Sequence, residues 1–95
     1  MTVEQFKGTL TEQAPTVANA ALRALWYDAK GDWNRAHEIA QEIDDQIGAW
    51  VHAYLHRKEG DAGNAAYWYR RAGRPVVRDQ SLDAEWEFIV AALLA

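Results

Sequence analysis

ALWYDAKGD at residues 24–32 is followed, 29 residues later, by AYLHRKEGD at residues 53–61. Each copy is a largely apolar stretch that ends in a Gly-Asp pair, and the match continues to Ala36 and Ala65. A helix, a Gly-Asp turn and a second helix therefore occur twice. Repeats of this kind are typical of stacked helical hairpins, in which each hairpin buries its apolar face against its neighbour. The sequence thus predicts an all-α fold.

The repeat divides the chain into parts of one domain, residues 1–95. We expect the first hairpin at about residues 16–44 and the second at about residues 45–74. No Gly-Asp pair lies 29 residues after the second one, so the last helix, at about residues 81–95, is expected to cap the stack rather than to begin a third repeat.

The N-terminal part carries two helix signals. Thr2 and Gln5 have the spacing of a capping box, which predicts a short N-terminal helix. Pro15 is of a type that the first turn of a helix tolerates, so the next helix is expected to begin there. Because this helix is nearly apolar all round, we expect it at the centre of the bundle.

Composition excludes several classes of protein. Hydrophobic residues make up 49% of the chain and charged residues 25%, as in ordinary globular domains. The chain has no cysteine, so a disulfide, a thiol nucleophile or a thiolate metal site is impossible. Its longest apolar run, Phe88 to Ala95, is far shorter than the roughly 20 residues of a membrane span. No signal-peptide pattern is present, so a cytoplasmic protein without membrane contact is expected.

The net charge of −4 conceals a basic block at residues 51–78, which carries six basic and two acidic residues between two acidic segments. Within the block, Tyr67, Trp68 and Tyr69 precede two arginines, a combination that can stack bases and hold phosphates. The acidic chain as a whole disfavours nucleic acid. The alternative is that the basic residues pair with the acidic C-terminal segment.

The small-residue pairs Ala24/Ala36 and Ala53/Ala65, the two Gly-Asp turns and the run WYRRA at 68–72 resemble the tetratricopeptide superfamily, in particular its Sel1-like branch. The resemblance covers residues 18–75, although the period is shorter than the family's 34 or so residues. The whole chain also resembles a group of small bacterial proteins. The resemblance implies a tetratricopeptide-like stack of two helical hairpins, with a groove that binds peptides or helices of other proteins.

Carried over by position, this groove predicts a set of partner-binding residues rich in aromatic and basic side chains, which are common at interface hot spots. Arginine and lysine would select an acidic partner, and an apolar peptide or helix would also fit. The alternative is that the aromatic residues pack in the core. Of the five tryptophans, Trp50 and Trp68 are expected to be exposed and the others buried. The predicted partner-binding residues are Trp50, Tyr54, Arg57, Lys58, Trp68 and Arg71.

His52 and His56 lie four residues apart on a predicted helix, a spacing that places both imidazoles on one face and makes them weak candidates for metal ligands. A third ligand would have to come from elsewhere, such as Glu59 or His37. No glutamate follows the first histidine, as the zinc-peptidase motif requires. No metal or other cofactor is therefore predicted.

Residues for enzyme chemistry are few. Ser81 is the only serine and is expected to cap the last helix, and the adjacent Asp44 and Asp45 are explained by a helix start. The chain contains neither a Gly-rich phosphate loop nor a nucleophile elbow. We therefore expect a non-enzymatic module that docks a peptide or helix of a partner protein. A homodimer through the C-terminal helix is the alternative, and binding of RNA or anions through the basic block is a third possibility.

Overall fold

A computed structural model describes residues 1–95 and is all-helical, as predicted. None of its helices has both the length and the hydrophobicity that a membrane span requires. The elements are α1 (Val3–Gly8), a 3₁₀ turn (Thr9–Thr11), α2 (Ala20–Ala29), α3 (Trp33–Gln41), α4 (Gln46–Lys58), α5 (Ala62–Arg71) and α6 (Leu82–Leu94).

The helices form two hairpins and a cover. Helix α2 packs against α3, and α4 packs against α5. The hairpins meet because α4 also contacts α2 and α3. Helix α6 then returns across α2 and α4, and α1 packs against α6. One face of α4 is consequently covered by the C-terminal helix, while its other contacts are with α2, α3 and α5.

The two Gly-Asp turns have the same geometry. Gly31 and Gly60 have φ of +88° and +89°, a backbone conformation that glycine adopts without strain. Asp32 and Asp61 follow, and each carboxylate accepts a hydrogen bond from the backbone N–H three residues later, at 3.1 and 3.2 Å. The sequence repeat is therefore a structural repeat of the turn and of the helix start after it.

Helix starts follow the predicted caps at both ends of the chain, but not at Pro15. Thr2 and Gln5 form the predicted capping box, and Ser81 accepts from the backbone N–H of Ala84 at 3.0 Å. The prediction that a helix begins at Pro15 is wrong, because α2 begins at Ala20. Asn19 is its cap, since its side-chain oxygen accepts the N–H of Leu22 at 3.0 Å.

The prediction that the first repeat helix lies at the centre is also wrong. Every residue from Gly48 to His56 is buried, so α4 is the central helix. The reason is its position in the stack, where it contacts both helices of the first hairpin as well as α5 and α6. Its core neighbours include Leu25 and Trp26 on α2 and Ile89 on α6. Helix α4 is less uniformly apolar than α2, and it buries two histidines.

Candidate functional site

The groove predicted to bind a partner is covered by α6. The indole N–H of Trp86 on this helix donates to the backbone oxygen of Leu25 on α2, at 3.0 Å. Trp86, Ile89 and Val90 are buried in the same core as α2 and α4. We call this side of α4 the α6-covered face. On it, the chain's own helix occupies the position expected for a partner.

Asp28 is the first of two buried carboxylates at the α6-covered face. It accepts from the Tyr54 hydroxyl at 3.1 Å and from Lys58 Nζ at 2.9 Å. Burial, followed by the neighbouring Asp28, raises the pKa of Tyr54 above its ordinary value, so this phenol remains a hydrogen-bond donor. The carboxylate is thus satisfied by residues of the same chain.

Glu85, on α6, is the second buried carboxylate. It accepts from Arg57 Nη1 at 2.8 Å and from the Tyr69 hydroxyl at 2.5 Å. Arg57 also donates to the backbone oxygen of Gln80. Burial, followed by the hydrogen bond to Glu85, raises the pKa of Tyr69. The pairing expected between the basic block and the acidic C-terminal segment is present here.

The six predicted partner-binding residues do not share one exposed surface. Tyr54 is buried, and Arg57 pairs with Glu85 of α6. Lys58, whose side chain is 37% exposed, pairs with Asp28 of α2. The expectation that Trp50 is exposed is wrong, because Phe88 packs edge-on against its ring and the Arg74 guanidinium lies 3.6 Å from the ring centroid. The other two predicted residues, Trp68 and Arg71, lie on α5.

The three histidines of the chain meet on the side of α4 that faces α3 and α5. His37 on α3 and His52 and His56 on α4 form what we call the histidine cluster. The ring centroids are 4.6 Å apart for His37 and His52, 4.7 Å for His52 and His56, and 5.2 Å for His37 and His56. One ring nitrogen from each lies within 4.8 Å of the other two. The cluster therefore brings three possible metal-ligand nitrogens close together.

Two tryptophans enclose the histidine cluster. Trp33 stacks on His37, with 4.9 Å between centroids and 13° between planes, and Trp68 stacks on His52 at 4.0 Å and 12°. Trp33 is itself fixed by a 2.8 Å hydrogen bond from its indole N–H to the backbone oxygen of Leu55. The predicted exposure of Trp68 is consequently only partial. Both indoles hold imidazole planes in place.

The electrostatics of the histidine cluster favour uncharged rings at His37 and His52. Burial, followed by the neighbouring His37 and His56, lowers the pKa of His52 to about 4. Burial also lowers the pKa of His37, with His56 as the next cause. Glu59 lies at the edge of the cluster, with its carboxylate 2.6 Å from Nδ1 of His56. Neutral imidazole is the form that binds metal ions.

Sequence reasoning found His52 and His56 through their spacing but left the third ligand open between His37 and Glu59. The structure brings His37 to the cluster because α3 packs against α4. A signal was available in the repeat, which predicts that the second helix of the first hairpin packs against the first helix of the second.

An exposed apolar surface lies at the N-terminal end of α4. It consists of Ile47, Trp50, Arg74 and Phe88, and we call it the Trp50 patch. Ile47 is 42% exposed and Phe88 57% exposed, whereas Trp50 forms the buried floor between α4 and α6. An open depression of about 340 Å³ is lined by Ile47 and Trp50 on one side and by the turn at residues 72–75 on the other. The patch thus has aromatic side chains, an arginine that stacks on Trp50 and a depression beside them.

Comparisons of the chain with models of known protein families, with curated proteins and with solved structures find no match.

Proposed function

We propose that the chain is a tetratricopeptide-like, non-enzymatic module that binds another protein. The repeated Gly-Asp turns and the side-by-side contact of the two hairpins support the repeat assignment. Ala24, Ala36, Ala53 and Ala65, which carry the resemblance, are all buried, as expected where small residues allow helices to approach closely. The proposed partner is a helical segment of another protein.

The proposed docking site is the Trp50 patch rather than the groove, because α6 already covers the groove. Large apolar side chains that stay exposed on two neighbouring helices are the feature that carries this choice. Tryptophan and arginine are enriched at interface hot spots, and here Arg74 stacks on Trp50. Tyr67, at 49% exposure, is the other large aromatic side chain exposed on a helix and lies on α5.

The chemistry of the patch defines its occupant. Apolar side chains of the partner helix would pack on the exposed Ile47 and Phe88, beside the depression. Arg74 makes no ion pair within the chain and is free to bind a carboxylate of the partner. The partner is therefore an amphipathic helix with apolar residues on one face and an acidic residue at its edge.

A second copy of the chain is the alternative occupant, and one observation favours it. Phe88 is exposed on α6, and so are Ala91 and Ala92, three and four residues later, which places the three on one side of the helix. Two such helices could pair, because the alanines leave room for the phenylalanine ring of the other copy.

The test compares Ile47→Glu with Tyr67→Glu, which places the same charge at a similarly exposed position on α5. The intact protein and both variants are used as bait in the source lysate, and each retained protein is then purified and its affinity measured by calorimetry. We expect Ile47→Glu to weaken the partner's affinity by about 30-fold or more, as at an interface hot spot, and Tyr67→Glu to leave it unchanged.

Equal affinity for all three baits would overturn the docking site. Loss with Tyr67→Glu alone would move the site to the neighbouring Trp68 and Arg71, which the sequence also predicted. Light scattering of the purified protein decides the alternative. A mass that doubles with concentration, and that Phe88→Glu returns to the monomer value, would support the homodimer.

A further inference from the structure

We propose that His37, His52 and His56 bind a divalent transition-metal ion, with Zn²⁺ the best fit, between the two hairpins. The proposal is independent of the docking function, because the histidine cluster lies on the α3 and α5 side of α4, whereas the Trp50 patch involves α6.

The positions of the rings support a shared ion. Zinc binds histidine nitrogen at about 2.0–2.1 Å, which places each ring centre about 3.2 Å from the metal and tetrahedrally arranged rings about 5 Å apart. The three centroid separations, 4.6, 4.7 and 5.2 Å, bracket that value. The nitrogens, now within 4.8 Å of one another, would close to about 3.4 Å by small shifts of the imidazoles that keep the stacked ring planes.

The donor set selects the class of metal. Three imidazoles suit zinc, copper, iron or nickel, whereas calcium and magnesium require oxygen ligands. Four-coordinate zinc with three histidines leaves a fourth position for water or a carboxylate. Glu59 and Asp61, which lie with His56 in a second group of donors within 4.8 Å, supply negative charge near the ion.

The surroundings hold the ligands in the way that metal sites require. Metal-binding histidines commonly donate their other ring N–H to a carboxylate, which fixes the tautomer. Glu59 stands 2.6 Å from Nδ1 of His56, so this nitrogen carries the proton and Nε2 has the lone pair that a metal ion could bind. Asn64 lies 3.4 Å from Nε2 and would be displaced by the ion. Trp33 and Trp68 fix the planes of the other two imidazoles by stacking.

The ion would join α3 of the first hairpin to α4 of the second. With one ligand on the first helix pair and two on the other, binding would stabilise the contact between repeats and leave the α6-covered face unchanged. We therefore expect a metal-dependent gain in thermal stability.

The experiment uses the full chain without a histidine tag, freed of metal by a chelator and dialysis, and titrates it with Zn²⁺ by calorimetry and with Co²⁺ by visible absorption. We expect one equivalent to bind, a Co²⁺ spectrum of four-coordinate type and a higher Tm with zinc. His37→Asn should weaken binding by about 100-fold or more, and Glu59→Gln by about 10-fold or more, as for removal of an orienting carboxylate.

Glu38→Gln is the matched control, since it removes a charge next to His37 without removing a ligand, and it should bind zinc like the wild type. His37 is only partly buried, so its replacement is the ligand change that disturbs the core least. NMR of the wild type provides a readout that needs no variant, because all three imidazole signals should shift on addition of Zn²⁺. Absence of saturable binding, histidine signals that do not move, or equal binding by His37→Asn would each overturn the proposal.

Discussion

The two sides of α4 solve the burial of polar groups in different ways. On the α6-covered face, each buried carboxylate has a cationic and a phenolic partner, as Glu85 has in Arg57 and Tyr69. In the histidine cluster, His52 and His56 stack on each other, His37 meets both edge-on, and two indoles stack on the imidazoles of His37 and His52, with one carboxylate at the edge. On the first face every buried carboxylate is paired within the chain. In the histidine cluster, three imidazole nitrogens lie close enough together to be candidate metal ligands.

The two copies of the repeat share some residues and differ in others. Asp28 and Arg57 occupy equivalent positions, 29 residues apart, and both lie on the α6-covered face with opposite charges. His56 corresponds to Tyr27, and His52 to Arg23. The repeat thus preserves the turns and small residues, while the polar side chains that distinguish the two faces differ between the copies.

The largest expected effect tests whether the α6-covered face depends on its ion pair. Glu85→Ala leaves Arg57, whose side chain is only 15% exposed, without a carboxylate and the buried Tyr69 without an acceptor, so we expect the free energy of unfolding to fall by about 3 kcal/mol in urea denaturation. Glu87→Ala is the control on the same helix, because its partner Lys7 is exposed and the pair contributes little. Similar losses for the two variants would contradict the importance of the buried pair.

A smaller effect distinguishes the histidine cluster by pH. The pKa of His52 is about 4 in the folded chain, against an ordinary 6.5, so above pH 6.5 both folded and unfolded states carry the neutral ring. Below pH 6.5 the unfolded state takes up the proton first. Stability should therefore fall between pH 6.5 and 4 by up to about 3 kcal/mol from this group.

The measurement is a series of urea curves for wild type and His52→Phe, with chelator present throughout. The phenyl ring preserves the stacking position on Trp68 and cannot titrate. The groups that face His52 are His37 from α3 and His56 from α4, with Arg71 of α5 beside Trp68. The variant's stability should depend less steeply on pH, and parallel curves would show that His52 is not the source of the acid sensitivity.

The smallest effect tests the equivalence of the two repeats. Gly31→Ala and Gly60→Ala should each cost about 1–2 kcal/mol by urea denaturation, because alanine is strained at φ near +90° although space is open around both sites. Gly63→Ala is the control, since this glycine lies on α5 with nothing near its side-chain position and should stabilise the helix by about 0.5–1 kcal/mol. Clearly unequal losses at Gly31 and Gly60 would contradict an equivalent role for the turns.

Several features of the fold could be predicted because they are local. The capping box at Thr2, the Asp32 and Asp61 starts and the Ser81 cap each depend on side chains within a few residues of the backbone group they bind. The wrong prediction at Pro15 also has a local cause. Asn19 accepts a hydrogen bond from the backbone N–H of Leu22, which a proline side chain cannot do, and the helix therefore begins after Asn19. The identity of the central helix is not local, because it depends on how many neighbours a helix acquires.

The candidate sites depended more on tertiary contacts. The spacing of His52 and His56 was visible in the sequence, but their meeting with His37 required the packing of α3 on α4. The proposed Trp50 patch depends on the contact between Trp50 on α4 and Phe88 on α6, which are 38 residues apart in the sequence. A capping C-terminal helix was predicted, but the burial of Tyr54 and the pairing of Arg57 with Glu85 depend on where α6 packs, which the repeat pattern does not describe.

The sequence by itself determined the all-α class, the two equivalent Gly-Asp turns and most helix starts, because these arise from backbone preferences and hydrogen bonds over short separations. Only the tertiary structure decided which face of α4 is covered, which carboxylates are paired and which imidazoles meet. Those outcomes join residues far apart in the chain, such as Arg57 with Glu85 and His37 with His52, and their energies depend on burial that appears only once the helices have packed.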